Sequence, residues 1–297
     1  MSAAAPPTHR AFSPRRVWAI ASNTFTELTR LKVFYILLIF AFAMIASSVV
    51  MARLTFQQEF QALQDISLGV MSMVASLLAI LATARLLAQD LEDRTVYTIL
   101  AKPVPRSEYL AGKFVGVVLL LTVSIAVMAA LFFVVLFFRE HAALAETARQ
   151  MSGQPVPQIA EALRAIEHAS FNANLFAAIA IIFVKAALLA ALTLFISTFA
   201  TSNIFTVAVA IFVYFIGHLQ ATAREFWLQE QGGGWLSHLF LAFVALVFPD
   251  LQQFNLADEI TGVVIPLALL LKTIGLAGFY VLLYLLLSIA VFNSREL

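Results

Sequence analysis

The sequence predicts an all-α integral membrane protein with six transmembrane helices. Hydrophobic residues make up 62% of the chain and charged residues only 12%, against about 25% charged in soluble domains. The apolar residues are gathered into runs close to the roughly 20 residues that a helix needs to cross the hydrocarbon core. Cysteine is absent, which excludes disulfides, thiolate metal sites and cysteine nucleophiles. The five histidines are scattered, and none belongs to a metal-binding pair such as H-E-x-x-H.

The chain begins with a basic, proline-containing stretch, residues 1–15, which we predict to be a disordered tail. Over residues 16–31, apolar side chains recur at three- and four-residue spacing beside Trp18 and flanking arginines. This pattern predicts an amphipathic helix that lies in the membrane interface and turns up into the first span. An ordinary surface helix is the alternative. Residues 16–297 are predicted to form a single transmembrane domain.

The six predicted spans are residues 33–51, 67–89, 114–138, 175–200, 204–219 and 266–292. Residues 53–66 are predicted to be a short polar loop. The polar section 139–172 is predicted to be two short helices around a proline break at 153–157. The run at 235–248 is apolar over only about 14 residues, so a re-entrant or interfacial segment before span six is favoured over a full crossing.

Six crossings place both termini on one side of the membrane, and the positive-inside rule makes that side the cytoplasm. Eleven Lys and Arg lie on the N-terminal side: Arg10, Arg15, Arg16, Arg30, Lys32, Arg85, Arg94, Lys102, Arg106, Lys113 and Arg295. Five lie on the other side: Arg53, Arg139, Arg149, Arg164 and Arg224. A full crossing by residues 235–248 would instead make seven spans and move the C-terminus outside.

The most densely charged stretch, residues 91–113, joins the second and third spans on the cytoplasmic side. Residues 92–100 have the length of a short helix. Pro103 and Pro105 end it, because proline fixes its own backbone and pushes the preceding residue into an extended conformation. Charges of both signs make a docking surface whose register can be specified. The alternative is an ordinary loop whose charges only satisfy topology and solvation.

The sequence contains no Walker A motif, since Ser107 stands where its first glycine would be needed before Gly112 and Lys113. Lys185 lies near the middle of the fourth span, where a charge is costly and marks a candidate functional position facing a cavity or partner group. The alternative is a lysine packed inside the bundle against carbonyls or hydroxyls. No acidic residue can be named at a similar depth as its partner.

The 91–113 stretch resembles the first cytoplasmic loop of permease subunits of type-2 ABC (ATP-binding cassette) exporters. The matching residues are Thr95, Leu100, Lys102, Pro103, Val104, Arg106, Gly112 and Lys113. Arg94 stands where many members have glycine. The amphipathic entry helix is similar to the elbow helix of the family, and residues 194–199 and 248–256 are similar to two further family elements.

The resemblance implies a permease in a bacterial cytoplasmic (inner) membrane that pairs with a second permease subunit, identical or not. A separate ATPase subunit carrying ATP and Mg would dock on the loop, so the chain itself would be neither an enzyme nor a binder of cofactor or nucleic acid. The loop residues assigned to this coupling are Glu92, Asp93, Arg94, Thr95, Leu100, Lys102, Pro103, Val104, Arg106, Gly112 and Lys113. Lys185 is a candidate for the intramembrane pathway. The substrate is left open, and a membrane anchoring or assembly protein without transport activity is the alternative function.

Overall fold

The computed structural model of this chain describes residues 12–53, 59–92, 105–200, 202–229, 249–254 and 266–294. Within these ranges the fold is helical and contains no strand. Three predictions fall outside the described residues: the N-terminal tail up to residue 11, the centre of the charged loop at 93–104, and the segment at 235–248.

The described residues form eight α-helices and one short 3₁₀ turn. Their bounds are α1 Pro14–Thr29, α2 Lys32–Arg53, α3 Glu59–Glu92, α4 Arg106–Gln150, α5 Val156–Ser170, α6 Asn174–Phe199, α7 Asn203–Gln229, the 3₁₀ turn Leu251–Phe254 and α8 Leu267–Ser294. Helices α2, α3, α4, α6, α7 and α8 contain the six stretches that are long and apolar enough to cross a membrane. They confirm the prediction of six candidate membrane-spanning helices among the described residues, whereas the exact bounds of the spans stay a prediction.

Two predicted connections are wrong, because the helices continue beyond the apolar runs. Residues 59–66 were expected in a polar loop but form the first turns of α3. Residues 139–150 were expected to be a separate short helix but continue α4, which runs unbroken for 45 residues. This extension is rich in Ala and Glu, which are strong helix formers in water. Only the second short helix, α5, exists separately, and it begins directly after Pro155.

Helix α6 lies at the centre of the bundle. It packs extensively against α3 and α8 and also contacts α4 and α7. Ala186, Ala190 and Ala191 are fully buried on it, and such small side chains let neighbouring backbones approach closely in membrane bundles. The peripheral helices α2 and α8 expose large apolar side chains such as Ile36 and Leu286. Those faces are suited to contact with lipid or with another apolar surface.

Helix α1 packs along α4. It buries Ala21, Thr24 and Leu28 on one face, while Trp18 is exposed. The predicted amphipathic helix is therefore confirmed as a helix with one packed face. Its position in the membrane interface stays a prediction.

The end of the bundle away from α1 is held by polar contacts between helix ends. Arg139 of α4 forms an ion pair with Glu59 at the start of α3. Gln64 donates from Nε2 to the carbonyl oxygens of Ala169 at 3.0 Å and Ser170 at 2.9 Å. Carbonyls in the last turn of a helix have no partner within that helix. Gln64 therefore caps α5 from α3.

Candidate functional site

The structure describes both flanks of the predicted coupling loop. Helix α3 ends at Glu92 and α4 begins at Arg106. The residues between them lie outside the described part of the chain, namely Asp93, Arg94, Thr95, Leu100, Lys102, Pro103 and Val104. Their assignment to an ATPase contact stays a prediction. Arg106, Gly112, Lys113 and Lys185 can be placed.

Arg106 joins the start of α4 to the end of α8. Its guanidinium donates to the carbonyl oxygens of Phe292 at 2.7 Å and Asn293 at 3.2 Å. It also lies 5.7 Å from the centre of the Phe292 ring. The last carbonyls of a helix are unsatisfied acceptors at the negative end of its dipole, so a cation is favourable there. Arg106 therefore caps α8 across the bundle.

A compact apolar cluster lies beside this cap. It consists of Leu87, Tyr109, Leu110, Leu194 and Phe292, all of them fully buried or nearly so. These residues come from α3, α4, α6 and α8, and the Tyr109 and Phe292 rings stack with their centres 6.1 Å apart. We call the cluster, together with Arg106, the loop platform. Both flanks of the charged loop are therefore packed into one cluster shared by four helices.

Glu108 attaches α1 to the loop platform. Its carboxylate is buried and accepts hydrogen bonds from Arg16 Nε at 2.6 Å, from a second Arg16 nitrogen at 2.7 Å and from the Ser13 backbone N–H at 2.8 Å. Arg–carboxylate pairs with two parallel bonds are among the strong ones. Glu108 precedes the predicted third span. The Arg16 hydrogen bonds and charge, with the Ser13 N–H, hold the pKa of Glu108 below its ordinary 4.5.

The Gly112 and Lys113 pair of the loop motif also contacts α1. A Cβ at Gly112 would lie 2.7 Å from Ile20 Cβ, and one at Gly116 would lie 2.6 Å from Thr24 Cβ. The helices are therefore closer at these points than any side chain allows. The Lys113 ammonium is buried, 3.7 Å from Glu27 Oε2. These two motif residues contribute to the packing of α1 against α4.

Lys185 lies in the interior of the bundle and is only 4% exposed. Its ammonium lies 3.0 Å from Nε2 of His218 on α7, 3.4 Å from Oγ of Ser72 on α3, and 5.7 Å from the centre of the Tyr214 ring. The charge is thus surrounded by neutral groups from two other helices. We call Lys185, His218, Ser72 and Tyr214 the intramembrane cluster.

The hydrogen-bond partners of His218 assign its tautomer. Its Nδ1 lies 2.9 Å from the Tyr214 carbonyl oxygen, which can only accept, so Nδ1 carries the hydrogen. Nε2 then presents a lone pair to the Lys185 ammonium, which donates to it. A neutral histidine next to a charged lysine is the arrangement that these contacts favour.

The segment before the last span reaches the same region. A Cβ at Gly217 would lie 2.7 Å from Leu251 Cγ and 3.0 Å from the Pro249 carbonyl oxygen. Leu251 is buried against the bundle. The segment that contains Pro249 and Leu251 therefore packs on α7 next to His218. The expectation that Lys185 has no acidic partner at a similar depth stays a prediction.

His218 was not among the predicted site residues, because the fifth span was predicted to end at residue 219. Helix α7 continues to Gln229, so His218 lies well inside it. Lys185 follows the first residue of α6 by eleven positions, and His218 precedes the last residue of α7 by eleven. Because α6 and α7 are antiparallel neighbours, equal distances from these two helix ends place Lys185 and His218 at a similar depth. The pairing of Lys185 with His218 could have been predicted from the sequence only if the end of α7 had been placed correctly.

The described residues contain no cluster of three His, Asp or Glu that could hold a metal ion. The two regions are thus a mechanical junction at one end of the bundle and a polar cluster inside it. A family model described as ABC-2 family transporter protein matches residues 18–297, which include all six of the described helices that are long and apolar enough to cross a membrane. A search of curated proteins found no match.

Proposed function

Because the chain belongs to the ABC-2 family of transporter proteins and is a permease component of an ABC transporter, we propose that it is an exporter subunit driven by a separate ATPase. The ATPase would dock on the 91–106 loop and hold the ATP and Mg. A second permease subunit, identical or different, would complete the membrane pathway.

The observation that carries this proposal is the loop platform. A partner that pushes on the loop would act on the end of α3 and the start of α4 together. From there the displacement would pass through Arg106 to α8, through Leu194 to α6, and through Glu108 to α1. Rigid elements joined by packed side chains are the means by which movement is transmitted through a protein.

The charge distribution supports a cytoplasmic position for the loop. Basic residues are concentrated on the side that carries α1 and the loop platform, as the positive-inside rule requires of cytoplasmic segments. We therefore infer that both termini lie in the cytoplasm. The resemblance of the loop motif to bacterial permeases is the reason for proposing a bacterial inner membrane. The α1 helix would lie at the cytoplasmic interface as an elbow.

The intramembrane cluster supports two roles, and we propose the transport role for test. Lys185 would contact a polar or anionic part of the substrate when α6 and α7 move apart. Charged residues inside transmembrane segments commonly mark substrate paths. In the alternative role the cluster only joins α3, α6 and α7.

Co-purification with an ATPase tests the proposal against the alternative of a membrane anchoring protein without transport activity. We expect an ATPase subunit to purify with the chain and Glu92→Lys to lower its permease-dependent ATP hydrolysis while membrane insertion is kept. Arg164→Glu is the matched control, because Arg164 is exposed on α5 at the other end of the bundle. If the Glu92→Lys complex hydrolyses ATP and transports normally, the coupling assignment is wrong.

A further inference from the structure

A cavity of about 130 Å³ lies where the joint between α1 and α2 meets α3 and the start of α7. Its wall is mostly aliphatic, with Leu28, Leu31, Leu78, Leu81, Leu120 and Val207 among the lining residues. An aliphatic wall does not hold water well, but it suits a segment of hydrocarbon chain.

Two polar side chains interrupt this wall. Arg85 is exposed and is the charged residue among those that line the cavity. Its Nε donates to Gln89 Oε1 at 2.8 Å, and its terminal nitrogens have no partner among the described residues. A guanidinium with free terminal nitrogens is preorganised to bind a phosphate through two parallel hydrogen bonds.

Asn203 supplies the second polar group. Its side-chain Oδ1 is buried and has no hydrogen-bond donor among the described residues. A buried acceptor without a donor is unfavourable and is normally explained by an unseen water, ion or ligand. The cavity therefore offers a cation and an unsatisfied acceptor at the edge of an apolar space.

The residues around the cavity are basic, like Arg85. Arg30 and Lys32 flank Leu31, and both are exposed. Basic residues at a membrane surface attract anionic lipids, each contributing about 1 kcal/mol. A small hydrophilic anion would gain nothing from the aliphatic wall, whereas a lipid could use both the wall and the polar groups.

We propose that this cavity binds one anionic glycerophospholipid from the leaflet next to α1. The phosphate contacts Arg85, a hydroxyl or ammonium of the headgroup donates to Asn203, and the first part of an acyl chain lies against the aliphatic wall. This site does not depend on transport or on an ATPase, so it stands apart from the proposed function.

Native mass spectrometry of the purified chain, titrated separately with phosphatidylglycerol and phosphatidylcholine, tests the proposal. We expect one phosphatidylglycerol per chain to bind more tightly than phosphatidylcholine. Arg85→Gln should weaken phosphatidylglycerol binding about five-fold and leave phosphatidylcholine unchanged. Asn203→Leu, which removes the acceptor, should lower the preference for headgroups that carry a donor. Arg164→Gln is the control for a general loss of positive charge.

Three results would overturn the proposal. Arg85→Gln could bind phosphatidylglycerol as tightly as the unmodified chain, with Arg164→Gln behaving in the same way. Free glycerol phosphate could displace the lipid at equal concentration, which would mean that the site takes a headgroup alone. A second copy of the chain could cover the cavity and exclude lipid from it. Native mass spectrometry would then show a dimer without bound lipid.

Discussion

Replacing Gly116 by alanine tests how closely α1 packs on α4. The added Cβ would lie 2.6 Å from Thr24 Cβ and 2.9 Å from the Ala21 carbonyl oxygen. Carbon atoms in contact prefer about 3.5–4.0 Å, so α1 would have to retreat by about 1 Å. The backbone oxygen cannot rotate away as a side chain could. Steric insertions of this kind cost about 1–3 kcal/mol.

Gly69→Ala is the matched control. Gly69 lies within α3, and a Cβ there would meet no atom within 4 Å. Both substitutions gain the same helix propensity of roughly 1 kcal/mol, so this term cancels between them. The difference between the two variants isolates the contact between α1 and α4, and it is expected to be about 1–3 kcal/mol.

Thermal unfolding in detergent, followed by size-exclusion chromatography after heating, measures this difference. We expect the Tm of Gly116→Ala to lie about 2–10 °C below that of Gly69→Ala, by the scaling for chains of similar size. Because the chain has no cysteine, spin labels at Ser22→Cys and Val123→Cys can report the helix separation. The distance between the labels should increase as α1 moves away from α4. If both glycine variants have equal Tm and equal distance, α1 does not pack on α4 in the way described.

Three further predictions concern the loop platform and the intramembrane cluster. The pKa of Glu108 is lowered in the folded protein. Its contribution to stability is therefore complete above the ordinary pKa of 4.5 and is lost as the pH falls through the lowered value. Glu108→Gln should remove this pH dependence of stability, and an acid-unfolding profile equal to that of the unmodified chain would refute the prediction. Arg106→Ala should weaken the last turn of α8 by about 1 kcal/mol, so that its amides exchange hydrogen about five-fold faster; no change there would contradict the cap. His218→Leu should destabilise the chain by about 1–3 kcal/mol because Lys185 loses its nearest acceptor, and Lys185→Met combined with it should recover most of that loss. If Lys185→Met alone leaves stability and transport unchanged, the cluster has no transport role.

Hydropathy alone was sufficient to assign the six spans. In hydrocarbon each backbone N–H and C=O must be satisfied within its own helix. A long apolar run that crosses the membrane in this way therefore has to be helical. The same constraint ends at the membrane surface. Residues 59–66 and 139–150 are polar, and water permits either loop or helix there. The sequence pattern therefore located the apolar runs correctly but missed the helical extensions.

The contacts of the loop motif could not be predicted from the sequence. Gly112 and Lys113 were assigned to coupling by resemblance, and that assignment stays a prediction. The structure adds that Gly112 approaches Ile20 and that Lys113 lies near Glu27, both on α1. Their spacing says nothing about which helix would lie against them. A glycine selected for close approach is identifiable only once the neighbouring backbone is in place.

The sequence by itself determined the class of protein and the order of the six spans found in the described residues. These depend on composition and hydropathy along one segment at a time. The family was indicated by the resemblance of the loop motif. Only the tertiary structure decided that Lys185 meets His218, that Arg106 caps α8 and that α1 lies within touching distance of Gly116. Each of these contacts joins residues from separate helices, and their distances depend on helix ends, rotation and depth. Those quantities are set by how all the helices pack together, so no single segment of the sequence contains them.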